Sequence, residues 1–205
     1  MHPKVLSPGA WKTVRRLAAG GWLEPWTLAG GTGLALRLGH RYSEDLDLFR
    51  PEAFDSDRLA EAISEVGPVT IQSRAADTLH LRLEGLRLSF LRAKPPLLFA
   101  TEPYRGLNLA DPRDIAVMKV IAIGGRGSRK DFVDLYFYLR AGGSLGGIFS
   151  LLARRFPRVD YNEYHLVKSL VFFEDAETEP MPRMIRSVEW SEIKETLIAE
   201  VRGLA

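Results

Sequence analysis

The chain contains no cysteine, which excludes disulfides, thiolate zinc sites and cysteine nucleophiles. Histidine is scarce as well: four residues in 205, no two at the spacing of a metal-ligand pair. No apolar run approaches the ~20 residues that a membrane span requires, and Met1-His2-Pro3-Lys4 does not begin the apolar core of a secretory signal. A cytoplasmic protein without membrane contact is therefore expected. Neither sign of charge dominates, since 28 Lys and Arg oppose 26 Asp and Glu for a net charge of +2; that balance alone does not indicate a nucleic-acid partner. Repeats and low-complexity segments are absent. A hydrophobic content of 46% and a charged content of 26% are those of a globular chain, long enough for one large domain or two small ones.

What is present is concentrated in residues 28–50, LAGGTGLALRLGHRYSEDLDLFR. Residues 26–29 read as a buried strand, Gly30-Gly31 as a tight turn, and residues 32–38 as a helix whose first amides are free to hold an anion. On the strand that follows, side chains alternate, so Ser43, Asp45 and Asp47 fall on one face if the strand starts early enough. Two carboxylates so close repel one another unless a cation lies between them, and beside a phosphate-sized site such a pair holds Mg²⁺. The stretch predicts a metal-dependent phosphoryl or nucleotidyl transfer site.

Around it the patterns are structural. Residues 8–19 form an amphipathic helix with Trp11, Val14 and Leu17 on one side. Asp55 or Ser56 caps a helix running to about Val66, which Gly67-Pro68 ends. Residues 69–73, 78–84 and 86–92 read as strands with a hairpin turn at Glu84-Gly85, and His80 as an ordinary strand residue. One more short strand is expected over 105–110.

Asp111-Pro112-Arg113-Asp114 is a helix start, with Asp111 as the cap and Asp114 in the first turn. Lys119 interrupts the apolar run that follows, and Gly124-Gly125 can end the helix before Arg126. Ser128 then stands at a capping-box-like distance from Asp131. Asp134 shares a face with Asp131 and lies within reach of Lys130; both aspartates can be catalytic or merely structural. Beyond Gly142-Gly143, residues 145–156, 162–173 and 191–201 are packing helices, 174–179 is a solvated acidic connection, and Arg154, Arg155 and Arg158 form a basic cluster.

GGTGLALRLGHRYSEDLDLF together with DPRDIAVMKVIAIGGRGSRKDFVDLYFYL resembles the AbiEii/AbiGii toxin family of nucleotidyltransferases, a branch of the DNA polymerase β-type superfamily. Its mark is a glycine pair, a spacer and Asp-x-Asp followed by a hydrophobe; here the thirteen residues 32–44 separate Gly30-Gly31 from Asp45-Leu46-Asp47. The resemblance covers roughly residues 26–140. It implies an α+β fold, with a polymerase β-like mixed sheet flanked by helices over residues 1–110 and a helical region over 111–205 that carries the second block. Asp45 and Asp47 are implied as ligands of Mg²⁺ or Mn²⁺, with Gly30, Gly31, Thr32 and Ser43 near the triphosphate of an NTP. Lys119 is implied as a phosphate-binding lysine and Asp134 as a catalytic acid of the second block. Arg126, Arg129 and Lys130 are implied as further candidates for triphosphate or RNA contacts, and the basic cluster with Arg154 and Arg155 is a candidate for an RNA backbone. The implied reaction moves an NMP from an NTP to an acceptor hydroxyl, a tRNA 3′ end, in a toxin neutralised by an antitoxin.

One departure stands out. Many superfamily members carry a third metal-binding carboxylate on a later strand, and the strand best suited to it, residues 86–91, offers Ser89. The base for the attacking hydroxyl is then left among Asp134, a metal-bound hydroxide, a remote Glu84, or none. Two alternatives accordingly stay open: a transferase acting on a small-molecule or protein hydroxyl, and a catalytically silent nucleotide- or RNA-binding module.

Overall fold

The computed structural model describes residues 1–158 and 161–204. Ser7 caps the helix Pro8–Ala19 (α1) by accepting from the Ala10 amide, and Trp11, Val14 and Leu17 are its buried stripe. The strand Thr27–Leu28 (β1) is shorter than the expected 26–29 because the helix Gly30–Leu38 (α2) begins directly after Ala29. Strand Asp45–Arg50 (β2) leads to helix Ser56–Ser64 (α3), where Asp55 caps as expected, accepting from the amides of Asp57 and Arg58. Strands Val69–Ala75 (β3), Thr78–Leu83 (β4) and Leu86–Arg92 (β5) form a meander. The one strand expected over 105–110 is instead a hairpin of Glu102–Tyr104 (β6) and Leu107–Leu109 (β7). Arg105 and Gly106 turn it, both at positive φ, 51° and 84°, the conformation a two-residue hairpin loop requires.

Among the described residues these strands make one seven-stranded mixed sheet in the order β3-β4-β5-β2-β1-β7-β6. β2 lies antiparallel to β1 and parallel to β5, and β1 parallel to β7. Alternation sends Leu46, Leu48, Leu79, Leu81, Leu83, Leu88 and Phe90 to one face, where they are buried with Val14 and Leu17 of α1 and Ile63 of α3. Each such side chain withdrawn from water contributes about 1.5–3 kcal/mol. The opposite face of β2 carries Asp45 and Asp47.

Helices Pro112–Arg126 (α4), Arg129–Arg140 (α5), Leu145–Arg155 (α6), Glu163–Ser169 (α7), Glu174–Glu177 (α8) and Trp190–Arg202 (α9) follow. Asp111 caps α4 as expected, but Gly124 and Gly125 do not end it; the left-handed Gly127 does, at φ 56°. The acidic stretch expected as a solvated connection contains α8, whose Ala176 is buried. These helices have their own core, including Ile123, Phe132, Leu135, Ile148, Leu152, Ile193 and Leu197. A small cluster of Ala29, Leu34, Ala110 and Ile115 lies where α2 meets α4. The architecture is α+β, as expected, and among the described residues no helix is long and apolar enough to cross a membrane.

Candidate active site

Leu46 is fully buried in the sheet core, so its neighbours Asp45 and Asp47 both leave β2 on the side facing α2. Gly30 and Gly31 are the first two residues of α2, not the separate tight turn expected from the sequence. Gly30 sits at φ 58°, and a Cβ there would collide with Asp47 Oδ2. A Cβ on Gly31 would collide with the Arg41 guanidinium. Both glycines are thus required by close approach, which a side chain would prevent. Thr32 donates to the Asp45 carbonyl and lies 2.6 Å from the Ser43 hydroxyl. Ser43 precedes β2 and does not share its face as a strand residue, yet it is fixed at the head of the carboxylate pair.

Asp47 stands in register with Ser89 of β5, and Ser89 with His80 of β4. His80 Nδ1 lies 2.9 Å from Ser89 Oγ, and the Ser89 hydroxyl is among the groups that lower Asp47. Burial pushes the Asp47 carboxyl up from its ordinary value and Asp45 adds to this, while Lys119 and the Ser89 hydroxyl pull it down. His80, expected to be an ordinary strand residue, is therefore bonded to the serine that stands in register with Asp47. The serine occupies the place where a third acid was sought.

Behind this pair lies a buried ionic cluster. Lys119 Nζ is 2.7 Å from Asp131 Oδ1 and 2.7 Å from Asp134 Oδ2. Arg41 grips Asp134 through both carboxylate oxygens, at 2.7 and 2.9 Å, and His40 Nε2 lies 2.8 Å from the same carboxylate. Exposures run from 0% at Asp134 and His40 to 6% at Lys119. Burial alone would raise Asp134, but Arg41 and Lys119 outweigh it and hold the carboxyl well below its usual range. Burial would lower Lys119, yet Asp134 and Asp131 keep its ammonium above the ordinary value. With two N–H groups given to carboxylates, Lys119 has one left for a ligand. For His40 burial prevails, so its ring is pushed down and stays neutral near pH 7.

Several expectations are corrected by this cluster. Asp134 binds Arg41, His40 and Lys119 and not Lys130. Asp131 serves Lys119 and Arg126 and not a capping box, because Ser128 donates to Glu179 at 2.8 Å. Asp114 accepts from the amides of Leu98 and Phe99 at 2.8 and 3.0 Å and so fixes the preceding loop. Asp134, its two oxygens fully engaged and its affinity for protons suppressed, is unsuited to act as a base; it positions Lys119 and Arg41. Glu84 is held at the β4–β5 turn by Arg16.

The carboxylate pair and Lys119 open on a cleft of about 510 Å³ that also takes in Gly31, Thr32, Ser43, Arg126 and Lys130. Arg41, Tyr42, Glu44, Arg87 and Arg183, none of them a site residue expected from the sequence, line the same cleft. Arg87 pairs with Asp45 across neighbouring strands. The only hint to Arg41 in the sequence was its place beside the carboxylate motif. Arg129 and Arg155, expected to meet RNA, are committed to the fold. Arg129 donates to the Ala176 carbonyl at 2.8 Å and stacks on Trp190. Arg155 is 6% exposed, reaches the Pro95 carbonyl at 3.2 Å, and is lowered by burial. Arg154 lies beside Phe99, and like Arg129 and Arg155 it does not line the cleft.

Asp45 and Asp47 offer hard oxygen donors suited to Mg²⁺ or Mn²⁺, and Asp45 helps to raise Asp47, a repulsion that a cation would relieve. The donor set therefore fits a divalent ion. Among the described residues no group of three or more His, Cys, Asp or Glu side chains is arranged to hold a metal, in line with Ser89 in place of a third acid.

Residues 13–80 match the family model of the nucleotidyl transferase AbiEii toxin of type IV toxin–antitoxin systems. An uncharacterized protein of Aquifex aeolicus (strain VF5) is 38% identical over 182 residues, covering 85% of each chain. Among solved structures, MenT4, a nucleotidyltransferase toxin of Mycobacterium tuberculosis H37Rv, superposes with a TM-score of 0.59 at 18% identity, over 96% of this chain and 83% of that one. The antibiotic-resistance factor ANT(2″)-Ia gives 0.57 at 18% identity, over 77% and 96%. JHP933 from Helicobacter pylori gives 0.54 at 18% identity, over 97% and 93%. At these identities the structural likeness speaks to the fold.

Proposed function

Because the chain belongs to the AbiEii nucleotidyltransferase family, we propose that it transfers an NMP from an NTP to the hydroxyl of an RNA acceptor, a tRNA 3′ end, and acts as the toxin of a pair whose antitoxin restrains it. The observation that carries this reading is the Asp45–Asp47 pair lining one cleft together with Lys119, Arg126 and Lys130. Asp45 and Asp47 would hold Mg²⁺ or Mn²⁺, which when bound neutralises charge on the phosphates. The acceptor oxygen bonds to the α-phosphorus as the bridging P–O bond to the β-phosphate breaks. Pyrophosphate leaves with the electron pair, and the hydroxyl proton passes to solvent water.

The free N–H of Lys119, with Arg126 and Lys130, binds the departing phosphates. Backbone amides at the start of α2 add hydrogen bonds of the kind helix N-termini give to anions. Asp131 and Asp134 do not touch the substrate; they hold Lys119 extended and charged. Labelled nucleotide incubated with total RNA, protein and metabolites tests the reading. Label in RNA that depends on Mg²⁺ supports it, whereas label confined to metabolites or protein replaces the acceptor. Ser89 favours a second reading, a silent nucleotide-binding module, which Mg²⁺-dependent NTP binding without transfer would support.

A further inference from the structure

A second depression, of about 810 Å³, adjoins the catalytic cleft and shares Tyr42, Ser43, Glu44 and Arg183 with it. Lys4, Arg15 and Arg105 line its outer part. Among the described residues none of these three, nor Arg183, takes part in an ion pair. Glu84, also in its wall, is neutralised by Arg16, which leaves Glu44 as the opposing charge. Two of the cations lie over aromatic rings: Arg183 is 4.3 Å from the Tyr42 ring centroid, and Arg105 is 5.4 Å from that of Trp11. Guanidinium planes presented in this way suit phosphates and unstacked bases together.

In-line displacement requires the attacking and leaving oxygens to lie on opposite sides of the phosphorus. With the leaving phosphates on Lys119, Arg126 and Lys130, the attacking hydroxyl has to arrive from the other side of the Asp45–Asp47 pair. The basic depression meets the cleft at Tyr42, Ser43, Glu44 and Arg183, next to Asp45 in the chain. We propose that this depression is the acceptor path, a groove that leads the single-stranded 3′ end of an RNA to the carboxylate pair, with Lys4, Arg15 and Arg105 on its phosphates and the Arg183–Tyr42 stack at its mouth. The proposal rests on the RNA-directed reading given above.

Lys4, Arg15 and Arg105 are exposed, so Lys4→Glu/Arg15→Glu and, separately, Arg105→Gln are compatible with folding, which circular dichroism checks. The probe is a short fluorescein-labelled single-stranded RNA, titrated by anisotropy across a salt series, with Mg²⁺-dependent NTP binding followed by calorimetry. Each variant is expected to bind the RNA at least about tenfold more weakly. In the double variant the salt dependence should flatten by about 1.4 in log–log slope, the value for two lost phosphate contacts on a single strand. NTP affinity stays at the wild-type value. RNA labelled by the wild type with unchanged RNA affinity in both variants overturns the groove alone, as does an NTP affinity that falls with the RNA affinity. A wild type that transfers label but neither binds nor labels RNA overturns the RNA-directed reading itself and the groove with it.

Discussion

Arg41 and Asp134 stand ninety-three residues apart in the chain, and two parallel hydrogen bonds join the guanidinium to the carboxylate at 2.7 and 2.9 Å with neither group exposed to water. The pair fastens the loop before β2 to α5, and thereby the carboxylate motif to the helix that orients Lys119. Activity and stability are consequently coupled at Asp134.

Removing one partner of such a pair strands the other in a low-dielectric interior, at a cost of about 3–5 kcal/mol. Asp134→Ala is expected to lower the unfolding free energy by that amount in urea and to abolish transfer. Asp134→Asn, which keeps the shape and loses the charge, should be intermediate in stability. Wild-type stability in Asp134→Ala would show that the carboxylate does not hold the two motif blocks together.

A pH dependence follows from His40, which burial holds below its ordinary value of 6.5. Between the folded value and 6.5 the unfolded chain binds the proton more readily than the folded one, so stability is full above about 6.5 and declines as the pH falls through that window. Asp134 acts in the same direction but in a different window: its folded value is depressed, and its contribution is lost as the pH falls below the ordinary carboxylate range. His40→Gln should flatten the decline that begins near pH 6.5 while leaving the strongly acid limb in place, as read from urea midpoints across pH.

Ser89 stands in register with Asp47 and is itself met by His80 at 2.9 Å. Outer hydrogen-bond partners of metal-binding carboxylates are worth about 10–100-fold in metal affinity. Ser89→Ala is expected to weaken Mg²⁺ binding at least about tenfold by calorimetry and His80→Ala to weaken it less, both with unchanged melting profiles. Equal affinity in all three proteins would mean that Ser89 and His80 do not support Asp47.

At Gly30 a methyl group would meet Asp47 Oδ2 at a backbone position of φ 58°. The left-handed conformation costs a non-glycine residue about 1–2 kcal/mol, which the fold tolerates. Displacing a catalytic group by about 1 Å costs on the order of 10²-fold in rate. Gly30→Ala should therefore fold and lose about two orders of magnitude in kcat, a result that separates the glycine's role at the site from a role in folding alone.

Local patterns were legible in the sequence wherever one element decided the outcome. The alternation in DLDL put both carboxylates on one side, Asp111-Pro112 started a helix, and the leucines of residues 79–83 marked the core face. Contacts between distant elements were not legible. Spacing within α5 suggested that Lys130 would pair with Asp134 and that Asp131 would cap, but α4 and the 40–41 loop deliver Lys119, Arg41 and His40 to those same carboxylates. Charge also misled at Arg129 and Arg155, expected to meet RNA, where backbone carbonyls and, for Arg129, the Trp190 ring hold the guanidinium groups. The sequence places Gly30-Gly31 in a turn ahead of the helix; the pair instead forms its first two residues, where a side chain would meet Asp47 and Arg41.

The central claim is that Asp45 and Asp47 carry nucleotidyl transfer, and α-labelled NTP offers the most direct test of it. Wild-type protein with Mg²⁺ and total RNA should transfer the α-label and no γ-label, while Asp45→Asn and Asp47→Asn, with wild-type melting profiles, should transfer neither. Full incorporation by either variant would contradict the account.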